Sequence, residues 1–402
     1  MTFLKKTRNT SELVDTVFSL AAKAKNDLDP NAVNATIGTL CDEDGQLFAF
    51  DSVFDPYDKL PHRLKAAYAT AFKGNDNYRQ AVLNWVLRDK KIQLNKEIIA
   101  TPGGTGAVSL AFSNFLEPGQ TVLIPEIAWP VYQLMANENS LKAVSYSLFE
   151  EDHFNITNLK QLILENLQSQ DKLILLINDP CQNPTGYSLS ISEWQELIFF
   201  LNSLPKNKQI ILLNDVAYID YTFTEDSRAF LEVWNSLENH ILGLVAYSCS
   251  KSFTSYGMRL GALIILHQNQ EVVEGILHAM DKQARSLWSN ISNSGMENIA
   301  NILCHPEAYL KEKKSAVQLL QKRAKLFIKQ ADACHLHYYP FKEGFFLTLV
   351  CDEKREAYHQ ALMDHHIYCV LVPKGIRIAL CSLPLAKIDG LPKRLKEIQE
   401  GL

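Results

Sequence analysis

The chain has 402 residues, 47% of them hydrophobic, which is enough for a large buried core and more than one ordinary compact domain needs. Its 40 basic and 45 acidic residues leave a formal net charge of −5, so the chain as a whole carries no basic signature for nucleic acid or an anionic membrane. No stretch of about 18 apolar residues is present, so no membrane span is expected. The first eight residues, Met-Thr-Phe-Leu-Lys-Lys-Thr-Arg, lack the apolar core of a secretory signal. Eight cysteines are scattered without a C-x-x-C pair. That pattern fits reduced thiols in a cytosolic protein.

The N-terminal segment predicts a helix over Ser11 to Lys25. An alternation of strands and helices begins near residue 97. Ile98 to Thr101 reads as a short strand, Pro102 to Gly106 as a tight loop, and Ala107 to Phe115 as a helix. Thr121 to Ile124 is a second strand, and Pro130 to Asn139 has helical spacing. Leu173 to Ile177, Ile210 to Leu213 and Leu242 to Tyr247 are continuous apolar runs of strand length. Runs of that kind suit a mainly parallel sheet covered on both faces. Helical segments such as Glu193 to Leu201 lie between them, which is the pattern of a wound α/β domain. Beyond residue 310 the pattern changes. A long charged helix, Tyr309 to Ala331, precedes Phe345 to Val350, the helix Glu356 to His365, Tyr368 to Val372, Arg377 to Leu380 and a final charged helix. The expected organisation is a large domain over 46–309, and a smaller α+β domain built from 1–45 and 310–402.

Four segments at predicted strand ends carry candidate chemistry, and open α/β sheets bind ligands at that edge. Gly103-Gly104-Thr105 opens a helix, whose free N–H groups and dipole attract an anion. An ordinary glycine turn has the same sequence. The segment is neither a Walker loop nor a dinucleotide fingerprint. Asn178-Asp179-Pro180-Cys181-Gln182-Asn183-Pro184-Thr185-Gly186 is a turn that offers the Asn183 amide to a ligand. Asn214-Asp215-Val216-Ala217-Tyr218 places an acid where burial is costly unless the acid is paired. A protonated pyridine would pair it, and so would a buried arginine or a helix N-terminus. Ser248-Cys249-Ser250-Lys251-Ser252 places a lysine after an apolar strand, where burial and a nearby cation favour the neutral amine. Arg259 follows eight residues later and has the fork geometry for a phosphate. A structural Lys/Arg pair fits the same residues. His335, His337, His365 and His366 have no Cys or carboxylate at ligand spacing, so no metal is expected.

Together and in this order, the four segments resemble the fold-type I pyridoxal-phosphate (PLP) aminotransferases, nearest to the aspartate and aromatic amino acid branch. The resemblance runs from about Asn34 to Ser382. It implies a large PLP-binding domain with a seven-stranded, mainly parallel sheet. It implies Lys251 as the Schiff-base lysine and proton shuttle, Asp215 on the pyridine nitrogen, and Tyr218 and Asn183 on the phenolic oxygen. Trp129 would stack on the ring. Gly103, Gly104, Thr105, Ser248 and Arg259 would surround the phosphate. Arg377, in Gly375-Ile376-Arg377, would clamp the substrate α-carboxylate beside Gly38. Arg285, in Arg285-Ser286-Leu287-Trp288, resembles a second arginine that the partner subunit of a homodimer supplies to a distal carboxylate.

Two departures stand out. Tyr132 replaces the histidine that the aspartate branch carries near the cofactor-binding acid. The tyrosine that reaches the phosphate from the partner has no clear place either, Tyr68 and Tyr78 being the candidates. The expected function is amino transfer from an L-amino acid, dicarboxylic or aromatic, to a 2-oxo acid. A lyase or decarboxylase on the same scaffold, or a ligand-sensing module, is the alternative.

Overall fold

The computed structural model describes Phe3, Ser11, Glu12, residues 16–351 and residues 353–402. In chain order the strands are β1 (Val33–Asn34), β2 (Asn95–Thr101), β3 (Thr121–Pro125), β4 (Lys142–Tyr146), β5 (Phe149–Glu150), β6 (His153–Phe154) and β7 (Lys172–Asn178). They continue as β8 (Gln209–Asp215), β9 (Ile241–Ser248), β10 (Gly261–His267), β11 (Phe346–Val350), β12 (Ile367–Tyr368), β13 (Val370–Val372) and β14 (Gly375–Ala379).

One sheet of seven strands, ordered β2-β10-β9-β8-β7-β3-β4, forms the centre. β9 is buried along its whole length, and β7 and β8 are buried beyond their first residue. This explains their continuous apolar runs: helices cover both faces, so no position faces water. β10 runs antiparallel to both of its neighbours, and the other pairings are parallel. The reversal matters for the site. The C-terminal ends of β2 and β9 lie beside the N-terminal end of β10, with Gly261 in register with Thr101 and Ser248. The residues just before Gly261 therefore reach the same edge as those that follow β2 and β9. Glycine is required at 261, because a Cβ there would stand 2.5 Å from the Gly103 carbonyl carbon.

The covering helices follow sequence rules. Ile191–Ser203 opens with a capping box, in which Ser190 and Glu193 each bond the other's backbone N–H. Trp194, Leu197, Ile198 and Leu201, at helical spacing, are its buried face.

A second core lies against a three-stranded antiparallel sheet ordered β11-β14-β13. β1 pairs in parallel with β12, and Val33 and Ala35 are buried in this core, so the segment at 33–35 packs with the C-terminal strands. The helix Glu307–Ala333 serves both cores. Tyr309, Ala316 and Leu320 belong to the large one, and Ala324, Phe327 and Ala331 to the small one. A boundary at 309/310 therefore falls inside a continuous helix.

Three local readings change. The helix after β2 starts at Gly103, not Ala107. The expected strand Tyr368 to Val372 is broken at Cys369, its two halves pairing in different sheets. The first helix spans Thr16–Asn26, and residues 13–15 of the expected one lie outside the described residues.

Candidate active site

The segments singled out above converge on the edge of the sheet where β2, β7, β8 and β9 end and β10 begins. Gly103 adopts φ +75°, and a Cβ on it would stand 2.6 Å from the Arg259 guanidinium. Only glycine allows that approach without strain. Gly104 lies against Ser248, and the first turn of the helix carries no acid. Arg259 donates to Ser250 Oγ at 2.9 Å. Helix N–H groups, hydroxyls and a guanidinium with no carboxylate among them form a cradle for a dianion.

Asp215, at the end of β8, is 5% exposed. Its Oδ1 accepts from the Ala217 N–H at 3.0 Å and its Oδ2 from the Tyr132 hydroxyl at 2.7 Å. Burial pushes its carboxyl up, and these two donors and Lys251 act against that. Among the described residues no cation bonds it, so a protonated ring nitrogen fits as its counter-charge.

Lys251 lies in a short helix that follows β9, Cys249–Ser252. Its Nζ donates to the Gly38 carbonyl at 2.7 Å and faces the rings of Tyr256, Tyr218 and Phe345 at 4.9, 5.6 and 6.0 Å. Burial pulls its pKa down to about 8 from 10.5. Arg377 and Arg259 add to that shift, while Cys381 and Asp215 oppose it. Acylation of Lys251 in cofactor-free protein should therefore rise through pH about 8, whereas an ordinary lysine rises near 10.4 or so. Peptide mass spectrometry across a pH series measures this, and a midpoint near the ordinary value would show a hydrated amine.

The turn that carries Lys251 is anchored from below. Tyr221 donates to the Lys251 carbonyl at 3.0 Å and Tyr309 to the Ser252 carbonyl at 2.8 Å. The Ser252 hydroxyl donates to Asp220 at 2.6 Å. Asp220 is fully buried, and Arg228 and Lys313 meet it at 2.7 and 3.3 Å. Sequence reasoning missed this network, since Ser252 and Lys313 stand 32 and 93 residues from Asp220. It also missed Tyr256, whose ring faces Lys251 Nζ.

Arg377 projects from β14 and is 6% exposed. It donates to the Thr36 carbonyl at 2.7 Å and to Asn183 Oδ1 at 3.3 Å, and it lies over the Phe346 ring at 4.4 Å. Its buried Nε has no partner. A guanidinium held this way retains a donor for a carboxylate. Tyr218 packs edge-on to Phe346 and tilted on Phe345. Trp129 contacts Tyr132 edge to face at 5.4 Å. Thr105 is exposed at the first turn.

Arg285 lies elsewhere. It is exposed in the last turn of the helix Gln270–Leu287, stacked on Phe72 at 4.5 Å and bonded to Ser289 Oγ at 2.6 Å. Among the described residues it makes no bond or ring contact with the other site residues. Tyr78 is fully buried, its hydroxyl bonded to the Gly261 carbonyl at 3.0 Å, so it cannot reach outward. Tyr68 is 85% exposed. His366 bonds Asp27 at 2.8 Å through Nδ1.

Residues 62–395 match the family model for aminotransferase class I and II. An aromatic-amino-acid aminotransferase of Pseudomonas aeruginosa is 31% identical over 207 residues, half of each chain. A tyrosine aminotransferase of Klebsiella pneumoniae is 26% identical over 302 residues, 72% of this chain and 73% of that one. The fold superposes on an aminotransferase from Anaerococcus prevotii with a TM-score of 0.94 at 30% identity, covering 99% of both chains. It also matches an aromatic-amino-acid aminotransferase from Burkholderia pseudomallei covalently bound to PLP (TM-score 0.81, 20% identity, 99% and 100% covered). The family match covers most of the chain, from before the sheet to the last helix, and the chain belongs to the class I and II aminotransferases, enzymes that work with pyridoxal phosphate.

Proposed function

We propose that this aminotransferase takes dicarboxylic and aromatic L-amino acids as donors and a 2-oxo acid as acceptor. The observation that carries the α-carboxylate half of this reading is Arg377: buried, oriented by Asn183 and Thr36, with one N–H unpartnered. When bound, PLP supplies a ring that stabilises the charge left on Cα after a proton is removed. Lys251 Nζ would take up and return that proton. Asp215 would keep the ring nitrogen protonated. Tyr218 and Asn183 would hold the phenolic oxygen, Trp129 would cover the ring, and Gly103, Gly104, Thr105, Ser248 and Arg259 would bind the phosphate.

Side-chain selection falls to Arg285, given by the partner subunit of a homodimer. The exposed Phe72 ring stacked on it supports a partner-facing surface. Of the two candidates for the tyrosine that reaches across to the phosphate, Tyr68 remains. Among the described residues the cysteines form no disulfide, which supports a reducing compartment such as the cytosol. No helix among the described residues is long and apolar enough to cross a membrane.

A panel of amino acids tested with 2-oxoglutarate, each half-reaction followed by cofactor absorbance, tests the substrate class. Aspartate, glutamate, phenylalanine and tyrosine should react fastest. Fastest turnover of a basic or small aliphatic amino acid would sink the reading.

A further inference from the structure

Tyr132 lies in the first turn of the helix Val131–Glu138, and its N–H bonds the Trp129 carbonyl at 3.1 Å. One loop-to-helix joint thus carries both the proposed ring-covering indole and the tyrosine that reaches Asp215. Tyr132 is 1% exposed, and its hydroxyl meets Asp215 Oδ2 at 2.7 Å.

We propose that Tyr132 is a positioning residue whose hydroxyl keeps Asp215 ionised and aimed at the ring nitrogen, as a donor that itself stays uncharged. The inference rests on the assignment of Asp215 to that nitrogen. Burial favours the neutral carboxyl, and among the described residues two hydrogen bonds oppose it directly, from Tyr132 and from the Ala217 N–H. Without the phenol, one oxygen of a buried carboxylate loses its donor. A protonated Asp215 cannot hold positive charge on the ring.

The donor's chemistry matters as much as its place. The ionisable groups that face this pair are Tyr146 from β4, Tyr218 beyond β8 and Lys251 beyond β9. Burial first, and then the Asp215 charge, push the Tyr132 hydroxyl well above its ordinary range. The phenol therefore stays O–H wherever the protein is folded. An imidazole in this place has an ordinary value near 6.5 or so and takes up a second proton in mildly acidic solution.

Tyr132→Phe fills the same space and removes only the donor. It should leave KM unchanged and slow the half-reaction by roughly tenfold, the loss expected for one hydrogen bond to a charged group. The absorbance of its bound cofactor should titrate differently from the parent's, because Asp215 would take up a proton more readily. N-methyl pyridoxal phosphate carries a fixed ring charge, so reconstitution with it should close the gap between Tyr132→Phe and the parent. Tyr132→His, whose ring also offers an N–H donor, should recover much of the rate. Equal rates and equal absorbance titrations for Tyr132→Phe and the parent would overturn the proposal. So would a deficit that N-methyl pyridoxal phosphate leaves in place. Asp215→Ala is run alongside: if it alone keeps a parental rate and absorbance, the ring-nitrogen assignment has failed rather than the role of Tyr132.

Discussion

Lys251→Ala should fold, bind PLP and turn over at least about 10⁴-fold more slowly, because it removes both the group that captures the cofactor and the group that moves the proton. The cofactor should still bind through the Gly103–Gly104 cradle, Arg259 and Asp215. Borohydride should fix the cofactor to one peptide of the parent enzyme, the one containing Lys251, and to none in the variant. Stability separates this outcome from simple damage. The folded state holds this amine near pKa 8 against 10.5 when unfolded. Below pH about 8 the fold therefore bears the full cost of a poorly solvated ammonium, and the cost fades as pH rises towards 10.5. With cofactor removed from both, Lys251→Ala should melt at the same temperature as the parent or higher, most clearly in neutral and acid solution. A variant that loses activity because it melts early, or labelling of a different lysine, would move the assignment elsewhere.

Arg377→Ala should lower kcat/KM for every amino acid, whereas Arg285→Ala should be selective. All substrates carry an α-carboxylate, so losing the buried Arg377 damages all of them. Removing one partner of a desolvated charge pair costs about 2–5 kcal/mol, which is roughly 30-fold or more in kcat/KM. Arg285→Ala should show a loss of that order, roughly 30-fold, on aspartate and glutamate. Phenylalanine and tyrosine need no cation at the distal position, so their kcat/KM should change little or rise. Equal losses on aspartate and phenylalanine would make Arg285 an interface residue and remove the main support for dicarboxylate selection. Sedimentation of the two variants belongs with the kinetics, because a dissociated Arg285→Ala dimer would also lose activity on all substrates.

The parts of this site that the sequence made legible are those written locally. A buried parallel strand reads as an apolar run, and the residues just past it read as a site because the edge of such a sheet is where chains turn. Gly103-Gly104-Thr105, Asn183, Asp215 and Lys251 all follow that rule. What was illegible depends on distant pairing. β10 is as apolar as its neighbours, and nothing local marks it as antiparallel, yet its direction is what brings Arg259 to the edge. Tyr132 could be read only as a departure from a resemblance, since its partner is 83 residues away. The Asp220 network was hidden for the same reason. The glycine-rich turn was misread as a loop because glycines are poor helix formers, although helix starts tolerate them where a ligand or a guanidinium must come close.

The pairing of β1 with β12 has a consequence for the order in which the enzyme comes into being. Val33 cannot find Ile367 until the ribosome has made nearly the whole chain. Contacts of such long sequence separation form late in folding. The segment held by that pairing carries Thr36 and Gly38, whose carbonyls receive Arg377 and Lys251. The large sheet, whose last strand ends at His267, has all its residues available well before then. A nascent chain thus holds a sheet edge able to receive the cofactor before it holds a pocket for the amino acid. Cofactor added during synthesis should protect arrested chains that end beyond His267 from proteolysis, while substrate analogues should protect only released, full-length protein.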